Sequence, residues 1–376
     1  MRLTLEQIRS ITAGALEVRQ EEDGIHFTRC TPRQTAVWYG VRQDLGRNSE
    51  MTAGIKLDFY TNSRLFSFTP GAPGKYEIYI DNVLTYYYTA EDFVAEDFVA
   101  EDFAAGDFAT KDLATDNFAS GRKKQISLDG EEHRITLYLP AHSKGVLESV
   151  ELEDGATIIR HKYDCKILFI GDSITQGWDS QWDSLSYAQC VSRFFNAEIL
   201  NQAVSGTMFR EEAFEEEINF EPDIIITAYG TNDWNYYKDP DEAKTHCTRF
   251  LDKMAERYSD RKVIGISPVW RGDREKDTAL GSFAAWTSYI KENISVHRMF
   301  LIDGETLTPH HKDFYFDKFL HPNAIGFEIY ALNLISQISK IVVLDTNRIN
   351  NADVFPVQIL YNCDMSCTKD TNNIII

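Results

Sequence analysis

Residues Ile167-Leu168-Phe169-Ile170 form an apolar run that stops at Gly171-Asp172-Ser173, and a second glycine, Gly177, follows four residues later. A strand buried on both faces reads as such an uninterrupted run. The glycines and the short polar residues between them predict a tight turn at its end, with Ser173 Oγ held at the strand's C-terminal edge. In open α/β sheets that edge is where ligands bind. The chain continues in the same manner from residue 166 onward. Strand signals at 166–170, 198–201, 223–228, 263–267 and 299–302 alternate with helix signals at about 187–195, 241–258, 279–294 and 323–339. This alternation predicts a five-stranded parallel sheet with helices on both faces, an α/β/α layer structure. Asn323 stands where it can cap the last helix.

Three further blocks fall at the ends of these elements. Asn201-Gln202-Ala203-Val204-Ser205-Gly206 follows the second strand. Tyr229-Gly230-Thr231-Asn232-Asp233 follows the third, and Leu320-His321-Pro322-Asn323 precedes the last helix. Together with Gly171-Asp172-Ser173 they resemble the blocks of the SGNH hydrolases, also called GDSL esterases. The resemblance supplies Ser173, Gly206, Asn232 and His321 in the family's order. It implies a flavodoxin-like α/β/α fold and ester hydrolysis.

The residue types agree with that chemistry. Acyl transfer needs a nucleophile, a base to take its proton and donors for the oxyanion that develops. Ser173 is the candidate nucleophile. His321 is the candidate base, because an imidazole changes charge near working pH. The backbone N–H groups of Ser173 and Gly206 and the side-chain amide of Asn232 are the candidate oxyanion donors. The third member of a triad is less regular. The family places an Asp three residues before the His, but that position is Lys318, and the nearest acid is Asp317, four residues before His321. A one-residue bulge brings Asp317 to the imidazole. In the alternative that the resemblance allows, a main-chain carbonyl orients the ring and the enzyme is a Ser-His dyad. Asp303 and Asp313 are the other acids nearby.

Residues 1–160 lack long helical periodicity and carry short runs rich in Val, Ile, Tyr, Phe and Thr. Examples are 35–39, 55–60, 64–68, 76–80 and 134–139. Several alternate apolar with polar, as half-buried antiparallel strands do. The pattern predicts an N-terminal β-sandwich, jelly-roll-like, ahead of the hydrolase domain at 161–345. That order resembles the two-domain carbohydrate acetyl esterases. A five-residue repeat that opens on Ala90-Glu91-Asp92-Phe93-Val94 interrupts the sandwich at 90–119, with nine acids against one lysine. Its period puts the phenylalanines on no single face of a helix or strand. Glu91, Glu96 and Glu101 occupy positions where a pentapeptide β-helix wants small residues. An expanded hairpin loop joining strands near 86–88 and 125–128 is the expectation. The tail, 346–376, is assigned no role.

Composition excludes several classes. The chain has 376 residues, enough for two domains with sizeable cores, and a formal charge of −20. Such acidity argues against nucleic acid and anionic membrane surfaces as partners. No apolar run reaches the ~20 residues of a spanning helix, and the N-terminus lacks a signal peptide's apolar core. A cytoplasmic location is expected. The six cysteines are scattered, and the close pair Cys363 and Cys367 has no partners that complete a zinc pattern. No metal or cofactor is expected. Trp178, Trp182, Trp234 and Trp270 lie near the proposed site loops, and aromatic faces suit sugar rings. Trp178, Trp234 and Trp270 are the candidate substrate contacts. The expected substrate is a short-chain, acetyl-type ester on a small molecule or oligosaccharide. The alternatives are a lysophospholipase or thioesterase on the same fold, and a non-catalytic carbohydrate binder.

Overall fold

Five apolar runs pair side by side in register to make the parallel sheet. They are labelled here in chain order as β1 (Cys165–Gly171), β2 (Ala197–Asn201), β3 (Ile224–Ala228), β4 (Lys262–Ile266) and β5 (Phe300–Ile302). The spatial order is β2-β1-β3-β4-β5 and every pairing is parallel. This is the flavodoxin-like order, in which the chain reverses direction across the sheet beside β1. The computed structural model describes residues 1–89, 123–214 and 217–346. The repeat at 90–119 and the chain beyond 346 therefore lie outside the described residues.

The continuous hydrophobicity of β1 has a direct cause. Leu168 and Ile170 join Phe250, Leu251 and Met254 and Trp286, Ile290 and Ile294 in one core cluster. Phe169, pointing the other way, meets Tyr187 with ring centroids 5.8 Å apart, and Tyr187 meets Tyr330 at 4.2 Å. Both faces of the strand are covered, so neither tolerates polar residues. The helices involved are α1 (Ser173–Gln176), α2 (Tyr187–Phe194), α3 (Thr231–Tyr236), α4 (Pro240–Arg257), α5 (Phe283–Val296) and α6 (Ala324–Thr346). Their starts carry side-chain caps. Ser186 accepts from the Gln189 N–H, Asp239 from the Asp241 N–H and Ser282 from the Ala285 N–H. Asn323 Oδ1 accepts the Gly326 N–H at 3.0 Å. Each such cap is worth about 1 kcal/mol. Among the described residues no helix is long and apolar enough to cross a membrane.

The N-terminal region is built from two antiparallel sheets. One runs Thr12–Ala13, Lys56–Thr61, His133–Tyr138, Lys75–Ile80, Val83–Thr89, with Ile159–Arg160 also paired to Lys56–Thr61. The other runs Glu17–Gln20, Ile25–Thr28, Val146–Leu152, Leu65–Pro70, Lys124–Ser127. Leu57, Phe59, Ile78, Ile135 and Leu137 of the first pack with Phe27, Phe66, Phe68, Leu147 and Val150 of the second in one buried cluster. Two sheets with a shared core make a β-sandwich.

Two expectations fail here. Residues 35–39, read as a strand, lie within a helix, Pro32–Val41. Thr31 and Gln34 form a reciprocal capping box and Pro32 occupies the first turn, which together fix a helix start regardless of the β-branched residues that follow. The strands flanking the repeat are not neighbours either. Val83–Thr89 edges one sheet and Lys124–Ser127 edges the other, so the two strands do not pair with each other.

The sandwich and the parallel sheet both belong to one compact unit, Met1–Gln337. Polar bonds join the two layers. Gly54 N–H donates to Asp183, and Lys56 Nζ donates to Gln189 Oε1 at 3.3 Å and Ser192 Oγ at 3.2 Å. Glu77 accepts from the N–H and the hydroxyl of Ser184. Glu77 is 1% exposed, and burial pushes its carboxyl from 4.5 up to about 7 against the pull of the Ser184 bonds. A raised carboxyl favours folding while it is protonated. That contribution is complete below the unfolded value and is lost as pH rises through about 7. Glu77→Gln keeps the bonding pattern without the charge. Its stability gain over wild type should therefore be near zero at pH 4 and about 3 kcal/mol at pH 8 in urea unfolding. A difference independent of pH would show that the Glu77 carboxyl titrates alike in the folded and unfolded protein, so that burial does not raise it.

Candidate active site

The end of β1 is shaped by what it touches. A Cβ at Gly171 would sit 2.3 Å from Thr175 Oγ1 and 2.7 Å from the Ala228 carbonyl oxygen, so only glycine lets β1 pass so close to β3 and α1. Asp172 turns inward, and its Oδ1 accepts the Ile174 N–H at 3.0 Å. Burial pushes its carboxyl up to about 7, against that hydrogen bond and the nearby His321. Ser173 then opens α1, where its backbone N–H has no intrahelical acceptor. Its Oγ lies 2.9 Å from His321 Nε2.

His321 Nδ1 lies 2.9 Å from Asp317 Oδ2. An ionised carboxylate only accepts, so Nδ1 carries the proton and Nε2 is left to accept from Ser173. The extra residue between acid and histidine is absorbed by a tight turn. Lys318 takes φ +69°, and Asp317 Oδ1 accepts the N–H groups of Phe319, Leu320 and His321 at 3.0, 2.7 and 3.1 Å. Burial alone would raise the Asp317 carboxyl, but the bonds from His321, Leu320 and Phe319 outweigh it and hold the group below its usual value. A second carboxylate, Asp179 Oδ2, stands 3.5 Å from the same Nδ1.

The loop after β2 is fastened to β1 and α1. Val204 N–H donates to the Gly171 carbonyl at 2.9 Å and Ser205 N–H to Gln176 Oε1 at 2.7 Å. Gly206 follows at φ +83°, a conformation open to glycine, and its N–H has no acceptor among the described residues. Asn232, on α3, donates from Nδ2 to the Thr207 carbonyl at 2.9 Å. Its amide has a second N–H to offer. Behind α3, the fully buried Arg271 donates to the carbonyl and hydroxyl of Thr231, both at 3.0 Å, and pairs with Asp273. Arg271 thereby fixes the residue before Asn232. Three contributors went unread in the sequence: Arg271, Asp179 and His142. Arg271 sits in the loop after β4, on the ligand-binding edge, which was its one available signal. His142 comes from the sandwich, and its ring lies 4.9 Å from that of Trp178 while Nε2 meets the Gly177 carbonyl at 3.1 Å. Burial pushes His142 down to about 4, so it is neutral there at pH 7.

The tryptophans divide. Trp178 and Trp270 are half-buried. Trp270 stacks near His310 at 6.0 Å and Tyr315 at 4.9 Å. Trp182 meets Tyr87 of the sandwich at 5.1 Å. Trp234 does not serve as a substrate contact. It has no exposed surface, donates Nε1 to the Gly281 carbonyl, and lies beneath Arg271 and Phe283. Its position in sequence, two residues after Asn232, put it close to the site but on the core side of α3.

Among the described residues, three groups of acids and histidine have donor atoms within 4.8 Å of one another and could hold a cation: Glu21, Asp23 and His26; Glu211, Glu212 and His246; and Asp179, Asp317 and His321. The first two share no residue with the contacts of Ser173 and His321 given above, and the third is the acid side of His321 itself.

Residues 169–329, which contain all four blocks, match the GDSL-like lipase/acylhydrolase family. This stretch is a GDSL-like domain. The chain therefore carries an ester-bond hydrolase domain. No curated protein matches the sequence. Solved structures extend the likeness beyond the GDSL-like domain to the sandwich. The salicylyl-acyltransferase SsfX3 from a tetracycline biosynthetic pathway is 17% identical, covering 89% of this chain and 96% of that one, with a TM-score of 0.67. A family two carbohydrate esterase from Cellvibrio japonicus is 15% identical over 91% and 98%, with a TM-score of 0.57. One from Clostridium thermocellum, solved in complex with cellohexaose, is 16% identical over 77% and 92%, with a TM-score of 0.52. At these identities the likeness is one of fold: a sandwich followed by the GDSL-like α/β domain.

Proposed function

We propose that the protein is a serine esterase that removes short acyl groups, of acetyl type, from carbohydrates. The observation that carries the reading is the relay of two 2.9 Å contacts, Ser173 Oγ to His321 Nε2 and His321 Nδ1 to Asp317 Oδ2. In the reaction Ser173 Oγ attacks the ester carbonyl carbon while His321 takes its proton. The carbonyl oxygen becomes an oxyanion held by the N–H groups of Ser173 and Gly206 and the amide of Asn232. His321 then protonates the departing alcohol. Water, deprotonated by His321, releases the acid from the acyl-enzyme and restores Ser173. Asp317 keeps the ring in the tautomer this sequence needs.

Carbohydrate is favoured because two of the structural neighbours are carbohydrate esterases, one of them bound to cellohexaose. The half-buried rings of Trp178 and Trp270 add faces on which a sugar can stack. In this reading residues 1–160 form the sandwich module and 161–345 the catalytic one. Nitrophenyl esters of increasing chain length test it. Hydrolysis should be fastest for acetate, fall with acyl length and survive a chelator. A rate that rises with length would instead favour a lysophospholipase or thioesterase. No hydrolysis of any ester, with retained oligosaccharide binding, would identify a carbohydrate binder.

A further inference from the structure

The acid side of His321 holds one carboxylate more than a Ser-His-Asp relay requires. Asp179 lies two residues beyond Gly177, on the loop that leaves α1, and its Oδ2 is 3.5 Å from His321 Nδ1, against 2.9 Å for Asp317. The two acids reach the ring from separate segments, and their side chains are similarly shielded, 19% and 23% exposed. Their surroundings differ. Asp317 is tied down by three backbone N–H groups. Asp179 accepts no hydrogen bond from any described residue, and among the described residues the charged groups that act on it are the imidazole and the other acid. Its backbone takes φ +67°, an uncommon conformation that a loop adopts when its surroundings impose it.

We propose that Asp179 is a positioning residue for His321: it shares the Nδ1 side of the ring with Asp317, stabilises the imidazolium formed when Ser173 gives up its proton, and can take over the orienting hydrogen bond when Asp317 cannot make it. This rests on the Ser173–His321 reading above. An opposite charge within about 4 Å favours the charged form of a histidine by ~1 to 3 pKa units. With a fifth of Asp179 open to solvent, the low end applies, about tenfold in rate.

The charges around Asp179 set the pH dependence. On the hydrolase side it faces His321 and Asp317. On the sandwich side, His142 packs on the neighbouring Trp178, and Lys75 Nζ donates to the Gln181 carbonyl at 3.1 Å. Burial and the charge of Asp317 push the Asp179 carboxyl up to about 6, against the opposing pull of His321. Its help to the imidazolium is therefore available at pH 8 and gone at pH 5, where it is protonated.

The test uses the full chain and a short-chain nitrophenyl ester. Asparagine tolerates positive φ and keeps the shape of aspartate, so Asp179→Asn should fold. Asp179→Gly, which takes that backbone at no cost, repeats the test independently. At pH 8 Asp179→Asn should lower kcat about tenfold with KM unchanged, and the loss should vanish by pH 5. Asp317→Asn alone should cost about 10²-fold. The double variant should reach the ~10⁴-fold loss of a triad without its acid, because no second carboxylate then remains. A penalty equal at pH 5 and pH 8, or an Asp317→Asn enzyme that Asp179→Asn does not slow further, overturns the proposal. Ser173→Ala run beside them separates the two levels. If it stays active, the site reading itself fails. If it is dead while Asp179 variants behave as wild type, only the role of Asp179 fails.

Discussion

Ser173→Ala should remove ester hydrolysis and leave the fold intact. The hydroxyl is the one atom in the site that can bond to the acyl carbon with a base already in contact, His321 Nε2 at 2.9 Å. Losing either nucleophile or base should lower kcat by about 10⁶-fold, since the residues of such a relay act as a unit. For the same reason the double variant Ser173→Ala/His321→Ala should be no slower than either single one. Thermal unfolding should be nearly unchanged for Ser173→Ala, because the hydroxyl's loss opens no cavity larger than one oxygen. Burst kinetics give a further check. Wild type mixed with excess nitrophenyl ester should release one equivalent of nitrophenol quickly as the acyl-enzyme forms, and neither variant should show the burst. A Ser173→Ala enzyme with full turnover would mean that another group attacks the ester and that the 2.9 Å contact is incidental.

The parts of this site that could be read from sequence are those whose chemistry and fold demand the same residues. β1 had to be apolar throughout because Leu168 and Phe169 are buried against opposite layers. Gly171 had to lack a side chain because Thr175 and Ala228 leave no room for one. Both signals are local and unambiguous. Asp317 was harder, because its reach depends on Lys318 adopting a positive φ, and nothing in a lysine announces that. The helix Pro32–Val41 shows the opposite error. Its start was encoded in Thr31, Pro32 and Gln34, but the β-branched and aromatic residues after them suit a strand equally well, and the cap decides. Trp234 could not be placed from its spacing. A residue two positions after Asn232 on a short helix points to the core or to solvent according to what covers it, and here Phe283 and Arg271 do. His142 and Asp179 meet the site from distant or irregular segments. Their roles are set by tertiary contact and have no pattern in the chain.

Asn232→Ala should show how the charge that develops in the reaction is held. Its amide donates one hydrogen to the Thr207 carbonyl at 2.9 Å, which fixes the plane of the group and leaves the second hydrogen for a ligand. The helix carrying it is fixed in turn by Arg271 through Thr231. A donor held this way costs no reorganisation when the carbonyl oxygen becomes an oxyanion, and removing it should cost about 10²–10³ in kcat, on the order of 3–4 kcal/mol. KM should move little, since the uncharged ester gains far less from the same bond than the tetrahedral intermediate does. Asn232→Asp offers a sharper comparison. It fills the same space but replaces the donor with a negative charge beside the oxyanion, so it should be slower than the alanine variant. If both substitutions instead raise KM and leave kcat alone, Asn232 binds substrate in its ground state, and the oxyanion must be held by the Ser173 and Gly206 N–H groups without it.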